Sequence, residues 1–254
     1  MDDPVIAAPA VSLPIPDAHP RQPRWLALME TLLVCGVPTQ VLIASVLLMA
    51  TPLSPTDGDD LSLPFFATLS LLDTLLVVGL IGFFLRASGE RPRDVFLGQR
   101  PVGREARLGL MLVPVVLIGV ALVVLALRAV LPWTQNVLVN PLTAFMDSPL
   151  DAAVFIVVVI VAGGVREELQ RAFILHRFEQ RLGGIHLGLV LFTIAFGALH
   201  ADQGIDVSIA VGLLGLIWGL IYIRRRSAVL PIVNHAGFNA LQVFQGVMAR
   251  TLGA

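Results

Sequence analysis

The chain has 254 residues and a formal net charge of -1, with 56% of its positions hydrophobic and 14% charged. A water-soluble domain carries about a quarter charged residues, so this composition excludes a soluble globule and points to one helical membrane domain. All 17 basic residues are arginine, and none forms a basic patch interleaved with aromatics, which argues against a nucleic-acid partner; Cys35 stands alone, which excludes a disulfide framework or a cysteine metal site.

Residues 1–25 are rich in Pro and Ala, carry Asp2, Asp3 and Asp17, and lack the basic start, apolar core and cleavage site of a secretory signal. They read as a flexible cytoplasmic tail. Seven apolar blocks follow, near 26–50, 63–86, 107–131, 151–176, 185–203, 207–223 and 228–249. Backbone polar groups cannot face lipid unpaired, and nothing alternates like a barrel strand, so each block is expected to be a helix. The expected fold is an all-α, polytopic transmembrane helical bundle of about seven spans, since ~20 helical residues cross a bilayer core.

The connections separate by charge. Arg21 and Arg24 precede the first block; Arg86, Arg91, Arg93, Arg100, Arg104 and Arg107 surround the second connection; Arg177 and Arg181 lie in the fourth; Arg224, Arg225 and Arg226 fill the sixth. Connections 51–62, 132–150 and 204–206 have no basic residue and carry Asp57, Asp59, Asp60, Asp147 and Asp206. Arginine bias toward the cytoplasm predicts a multi-pass cell-membrane protein with a cytoplasmic N-terminus and an external C-terminus. Arg128 and Arg250 are the exceptions. The polar stretch 87–106 reads as a solvated, headgroup-facing connector. Internal repeats of the kind that mark many transporters are absent.

Charged groups at bilayer depth are costly, so they face a protein interior or a wet cavity and are functional candidates by default. Glu30 and Asp73 are isolated in the first two blocks and read as structural. The fourth block is interrupted by Arg166-Glu167-Glu168-Leu169-Gln170-Arg171, in which Glu167 and Arg171 have the spacing of a helical ion pair. The fifth ends in Phe196-Gly197-Ala198-Leu199-His200, and the seventh contains His235-Ala236-Gly237-Phe238-Asn239. Counted from the presumed cytoplasmic helix ends at ~1.5 Å per residue, Glu167, His200, His235 and Asn239 fall ~15, ~21, ~11 and ~17 Å deep. His176 and His186 fall at block ends and read as interfacial.

A carboxylate beside imidazoles in a low-dielectric cavity suits activation of water, and an imidazole with a carboxamide suits an oxyanion. No serine sits beside a histidine, so a serine nucleophile is excluded. Glu167, His200 and His235 could instead hold zinc as three ligands plus water, although the helical His-Glu-x-x-His spacing is absent. A non-catalytic scaffold and a proton- or ion-coupled transporter use the same residue types.

The order of a Glu-Glu…Arg helix, a Phe-x-x-x-His helix and a His-x-x-x-Asn helix resembles the CAAX-protease and bacteriocin-processing (CPBP) family of intramembrane endopeptidases, related to the type II CAAX prenyl protease. The resemblance covers about residues 150–245 and includes the short link Ala201-Asp202-Gln203-Gly204. It implies a catalytic region over 150–250, preceded by transmembrane helices and loops over 26–149. It further implies a glutamic-type peptidase acting on peptide or membrane-protein substrates at the bilayer without a cofactor. Glu167 and His200 would activate water, with Glu168 as supporting carboxylate; His235 and Asn239 would support the oxyanion; Arg171 and Phe196 would assist. The family pattern is Glu-Glu-x-x-x-Arg, whereas here only Leu169 and Gln170 separate the acidic pair from Arg171. Glu167 falls within the motif in either register.

Overall fold

The computed structural model describes residues 22–252, and the expected tail falls outside them except for residues 22–25, where Arg24 already opens the first helix. The seven apolar blocks all become helix, and the all-α expectation holds. The first block is two helices, α1 (Arg24–Val34) and α2 (Val37–Ala50), bent by 45°. The break falls at Gly36, whose φ of 92° is a left-handed conformation that favours glycine. Next come α3 (Leu63–Ala87), the short α4 (Pro92–Phe96), α5 (Val102–Met111) and α6 (Val113–Val130). The fourth block is one long rod: α7 (Pro149–Val158), a π-helical stretch (Val159–Arg166) and α8 (Glu167–Arg181). The rod leads to α9 (Ile185–Ala198), α10 (Ile205–Arg225) and α11 (Val229–Leu252). A single two-residue antiparallel pair, Thr56–Asp57 with Asp60–Leu61, closes the loop before α3.

Four of these helical rods, Leu63–Ala87, Val113–Val130, Pro149–Arg181 and Ile205–Arg225, are long and apolar enough to cross a membrane, and the bent pair α1–α2 makes five. The expected seven included α9 and α11, which do not meet that standard. With 14 residues, α9 spans only ~21 Å, short of a ~30 Å core. The α11 helix is long enough, but Asn234, His235, Asn239, Gln242 and Gln245 dilute its apolar run. Together with the exposed apolar flank of α6, where Val115, Ile118, Leu122 and Leu125 point outward, these spans suit a multi-pass membrane protein.

The centre of the bundle is α8, which is buried on nearly every side from Glu168 to Phe178. Its apolar residues Phe173, Ile174 and Phe178 pack with Val34, Val77, Ile81, Phe84 and Val95 from α1, α3 and α4. A second core of Phe196, Leu214, Trp218 and Phe238 joins α9, α10 and α11. Glycines let these helices approach: Gly197 and Gly212 face each other across α9 and α10, and a Cβ on Gly215 would meet the Phe196 ring at 2.8 Å.

Two arginines, Arg166 and Arg177, tie the rod to its neighbours by ion pairs, and a third, Arg171, pairs within it. Arg166 lies 3.5 Å from Asp73 and donates to Gln170 at 3.1 Å. Arg171 pairs with Glu168, and Arg177 donates to Glu30 at 2.6 Å and to Glu90. Glu30 and Asp73 are therefore structural, as expected, but they are not isolated: Asp73 also accepts from Thr39 and Gln40, and Glu30 accepts from Gln22. The arginine partners come from the rod, far along the chain, so sequence proximity does not reveal them. The stretch 87–106 is likewise more than a connector. Glu90 accepts from His176, Arg177 and Gln180, and buried Glu105 takes two hydrogen bonds of 2.6 Å from Arg225.

Candidate active site

The rod changes winding just before its acidic pair. The π-helical turns of Val159–Arg166 shift backbone pairing from i+4 to i+5, a departure common at functional sites. Gly163 and Gly164 allow α11 to lie against this stretch: a Cβ on Gly164 would meet Ala236 Cβ at 2.5 Å, and one on Gly163 would meet Asn239 Nδ2 at 2.5 Å. The Asn239 amide donates to Val159 O at 3.3 Å. The His-x-x-x-Asn face of α11 is thereby set directly on the turn that delivers Glu167 and Glu168.

Those two glutamates point to different surroundings. Glu168 is buried and accepts from both Arg171 and His235 on one oxygen, with His235 Nδ1 2.9 Å away. The Glu167 side chain keeps 18% exposure, and its Oε2 lies 3.9 Å from His235 Nε2. The helical pair expected between Glu167 and Arg171 is not formed. Arg171 binds Glu168 instead, at i,i+3, because α8 turns Glu168 inward with it. The shortened Glu-Glu-x-x-Arg spacing thus still closes a carboxylate–arginine pair.

Arg171 is fully buried, and two of its nitrogens, Nε and Nη2, have no hydrogen-bond partner among the described residues. Its guanidinium lies 5.0, 4.8 and 5.6 Å from the rings of Phe192, Phe196 and Trp218. Ring faces attract a desolvated cation by up to about 2 kcal/mol each, which offsets part of the missing hydrogen bonding.

His200 lies past the end of α9 rather than on it, in the turn that begins at Leu199. Its Nδ1 is 2.8 Å from Phe196 O, and the two rings are 4.9 Å apart. Phe196 in turn presents its ring edge-on to His235 at 6.4 Å. Phe196 therefore packs near both imidazoles, and the His200 nitrogens lie beyond 4.0 Å of either glutamate carboxylate. Among the described residues no three His, Cys, Asp or Glu side chains are grouped within reach of one metal ion.

Two residues of this site went unread in the sequence. Trp218 stacks on His235 with ring centroids 3.9 Å apart and an 18° interplanar angle. Its indole N–H donates to Asn234 Oδ1 at 2.8 Å, and Asn234 Nδ2 donates to Gly109 O at 3.0 Å. This chain runs from α5 through α11 to α10 and fixes the plane of His235. The available signal was a tryptophan between Gly215 and Gly219 in the apolar middle of α10.

Residues 149–241 match the family model described as type II CAAX prenyl endopeptidase Rce1-like. The matched segment runs from the start of α7 to just beyond Asn239 and contains every residue of the cluster. Comparison with curated proteins and with solved structures gave no match.

Proposed function

We propose, from the match of residues 149–241 to the type II CAAX prenyl endopeptidase Rce1-like family model, that the chain is an intramembrane CAAX-type protease of the glutamic kind. The observation that carries the mechanism is the 3.9 Å between Glu167 Oε2 and His235 Nε2, with His235 Nδ1 engaged by Glu168 at 2.9 Å. A carboxylate at Nδ1 selects the tautomer with its proton there, leaving the Nε2 lone pair facing the Glu167 carboxylate. Two acceptors at that separation are bridged by one water donating to both at ordinary hydrogen-bond lengths, since ~2.8 Å arms across such a gap subtend roughly a right angle. Glu167 then takes the proton as the water oxygen attacks the scissile carbonyl, and later delivers it to the leaving amine.

The remaining groups orient. Arg171 holds Glu168, Glu168 holds His235, and Trp218 stacks on its face. Asn239 spends one amide N–H on Val159 O and has a second for the oxyanion of the tetrahedral intermediate. His200, tied to Phe196 at 2.8 Å, is left to contact the substrate. The substrate is a peptide or membrane-protein segment presented at the bilayer.

The test is cleavage of prenylated and unprenylated C-terminal peptides by the purified, membrane-reconstituted protein. Glu167→Gln preserves size and should lower kcat by about 10²–10⁴-fold, the usual contribution of a general base, while chelators leave the wild type active. Unimpaired cleavage by Glu167→Gln would falsify the assignment of the base. Cleavage silenced by chelation and restored by Zn²⁺ would replace the glutamic mechanism with a metal one.

A further inference from the structure

We propose that the arginine-lined concavity on α5 is a binding site for the phosphate headgroup of an anionic phospholipid. The concavity has a volume of about 430 Å³ and is lined by Arg100, Arg104, Arg107, Leu108, Met111 and Arg225. Arg100, Arg104 and Arg107 are exposed, and none has a carboxylate partner among the described residues. Arg225 is neutralised by buried Glu105, with two hydrogen bonds of 2.6 Å, and its carbonyl accepts from Arg100 Nε at 3.0 Å. The Glu105–Arg225 pair thus builds the floor, Arg100 is held at the rim, and three positive charges remain to face a ligand. Arginine forks suit phosphate oxygens in pairs.

The order of chemistry along α5 selects a lipid over a free anion. Positions 104, 107–108 and 111 follow one another at helical spacing on α5, with Arg100 just ahead of its first turn, so the cations lead into Leu108 and Met111. Met111 is exposed and adjoins exposed Leu110, two residues before the span Val113–Val130 begins. Arg107 lies ~9 Å before Val113 along the helix at ~1.5 Å per residue, about the depth of the headgroup layer outside a ~30 Å hydrocarbon core. Charge first and apolar surface second, in the direction of the membrane, is the polarity of a phospholipid. A neighbouring concavity of about 630 Å³ is also lined by arginines but includes Asp94 and Glu179, which compensate its charge. The inference rests on this end of the bundle lying at headgroup level, not on peptidase activity.

The full-length protein, purified in mild detergent and analysed by native mass spectrometry, is expected to retain phosphatidylglycerol in preference to phosphatidylcholine at equal concentration. Arg104→Gln with Arg107→Gln should weaken that retention by at least about tenfold, since each basic residue near the surface contributes to anionic-lipid attraction. The single variants Arg104→Gln and Arg107→Gln should fall between. Arg91→Gln with Arg93→Gln removes the same charge from another exposed part of the arginine-rich end and should leave retention unchanged. Wild-type retention by the Arg104/Arg107 double variant overturns the site. Equal loss in the Arg91/Arg93 double variant overturns it too, in favour of diffuse surface attraction. Displacement of the lipid by an equal concentration of inorganic phosphate would reassign the concavity to a free anion.

Discussion

Glu168, Arg171 and His235 form a buried chain joined through one Glu168 oxygen, and such chains fail asymmetrically. Removing one partner leaves a desolvated charge unpaired, at about 3–5 kcal/mol, whereas replacing both with apolar groups of similar volume is far milder. Arg171→Met is therefore expected to lower the thermal midpoint of the purified protein sharply. Adding Glu168→Leu should restore much of that loss without restoring cleavage, because His235 then lacks its Nδ1 acceptor. A double variant no more stable than Arg171→Met alone would mean that the ring cage, rather than charge pairing, dominates the site. Glu90 behaves differently because it lies in the loop between α3 and α4. Burial pushes its carboxyl up, but hydrogen bonds from His176, Arg177 and Gln180 outweigh that and hold it at about 2 instead of 4.5. A depressed carboxylate stabilises the fold above its unfolded value and loses that contribution as pH falls through the folded one. Thermal stability should accordingly decline between pH 4.5 and 2, and Glu90→Gln should lower it at neutral pH and flatten that decline. An unchanged pH profile in Glu90→Gln would show that another carboxylate sets the acid limit.

At the scale of elements, the junction of the π-helical stretch with α11 is what brings the acidic pair to His235 and Asn239. The i+5 winding shifts the rod's register by about one residue relative to a uniform α-helix. It does so just upstream of the motif whose spacing is one residue short. Gly164 is the closest point of that junction, and a Cβ there would overlap Ala236. Gly164→Ala is expected to cost about 1–3 kcal/mol by overpacking and to lower kcat by separating Glu167 from His235. Gly119→Ala in α6 is the matched control, since a Cβ there meets nothing within 4 Å. Equal melting temperatures and rates for the two variants would count against the junction as the organiser of the site.

For the molecule as a whole, the two arginines that broke the loop-charge pattern are both paired with acids. Arg128 donates to Asp206 at 2.6 Å, and Arg250 pairs with Asp147. Neutralised in this way, neither argues against an external position for the ends that carry them. We expect the C-terminus to be external and the Arg224–Arg226 turn cytoplasmic. Single cysteines introduced at position 252 and at position 224, in a Cys35→Ala background, should label from opposite sides of intact cells or spheroplasts. Labelling of both from one side would discard this topology and place α11 as a helix that does not cross.

The sequence alone determined the helical membrane class, because long apolar runs with few charges have one stable solution in lipid. It also singled out Glu167, Glu168, His200, His235 and Asn239, because polar and ionisable groups inside apolar helices are conspicuous and their order along the chain resembled a known family. Tertiary structure decided the rest. Local spacing predicted an Arg171 partner in Glu167, but the inward face of α8, the same face that meets α11, chose Glu168. Trp218, Asn234, Phe192 and Gly164 gain their roles only from helices far apart in sequence coming into contact, which no periodicity encodes. The partners of Glu30 and Asp73 were hidden for the same reason: Arg177 and Arg166 belong to a rod more than ninety residues further along the chain, and only packing brings opposite charges in a low-dielectric interior together.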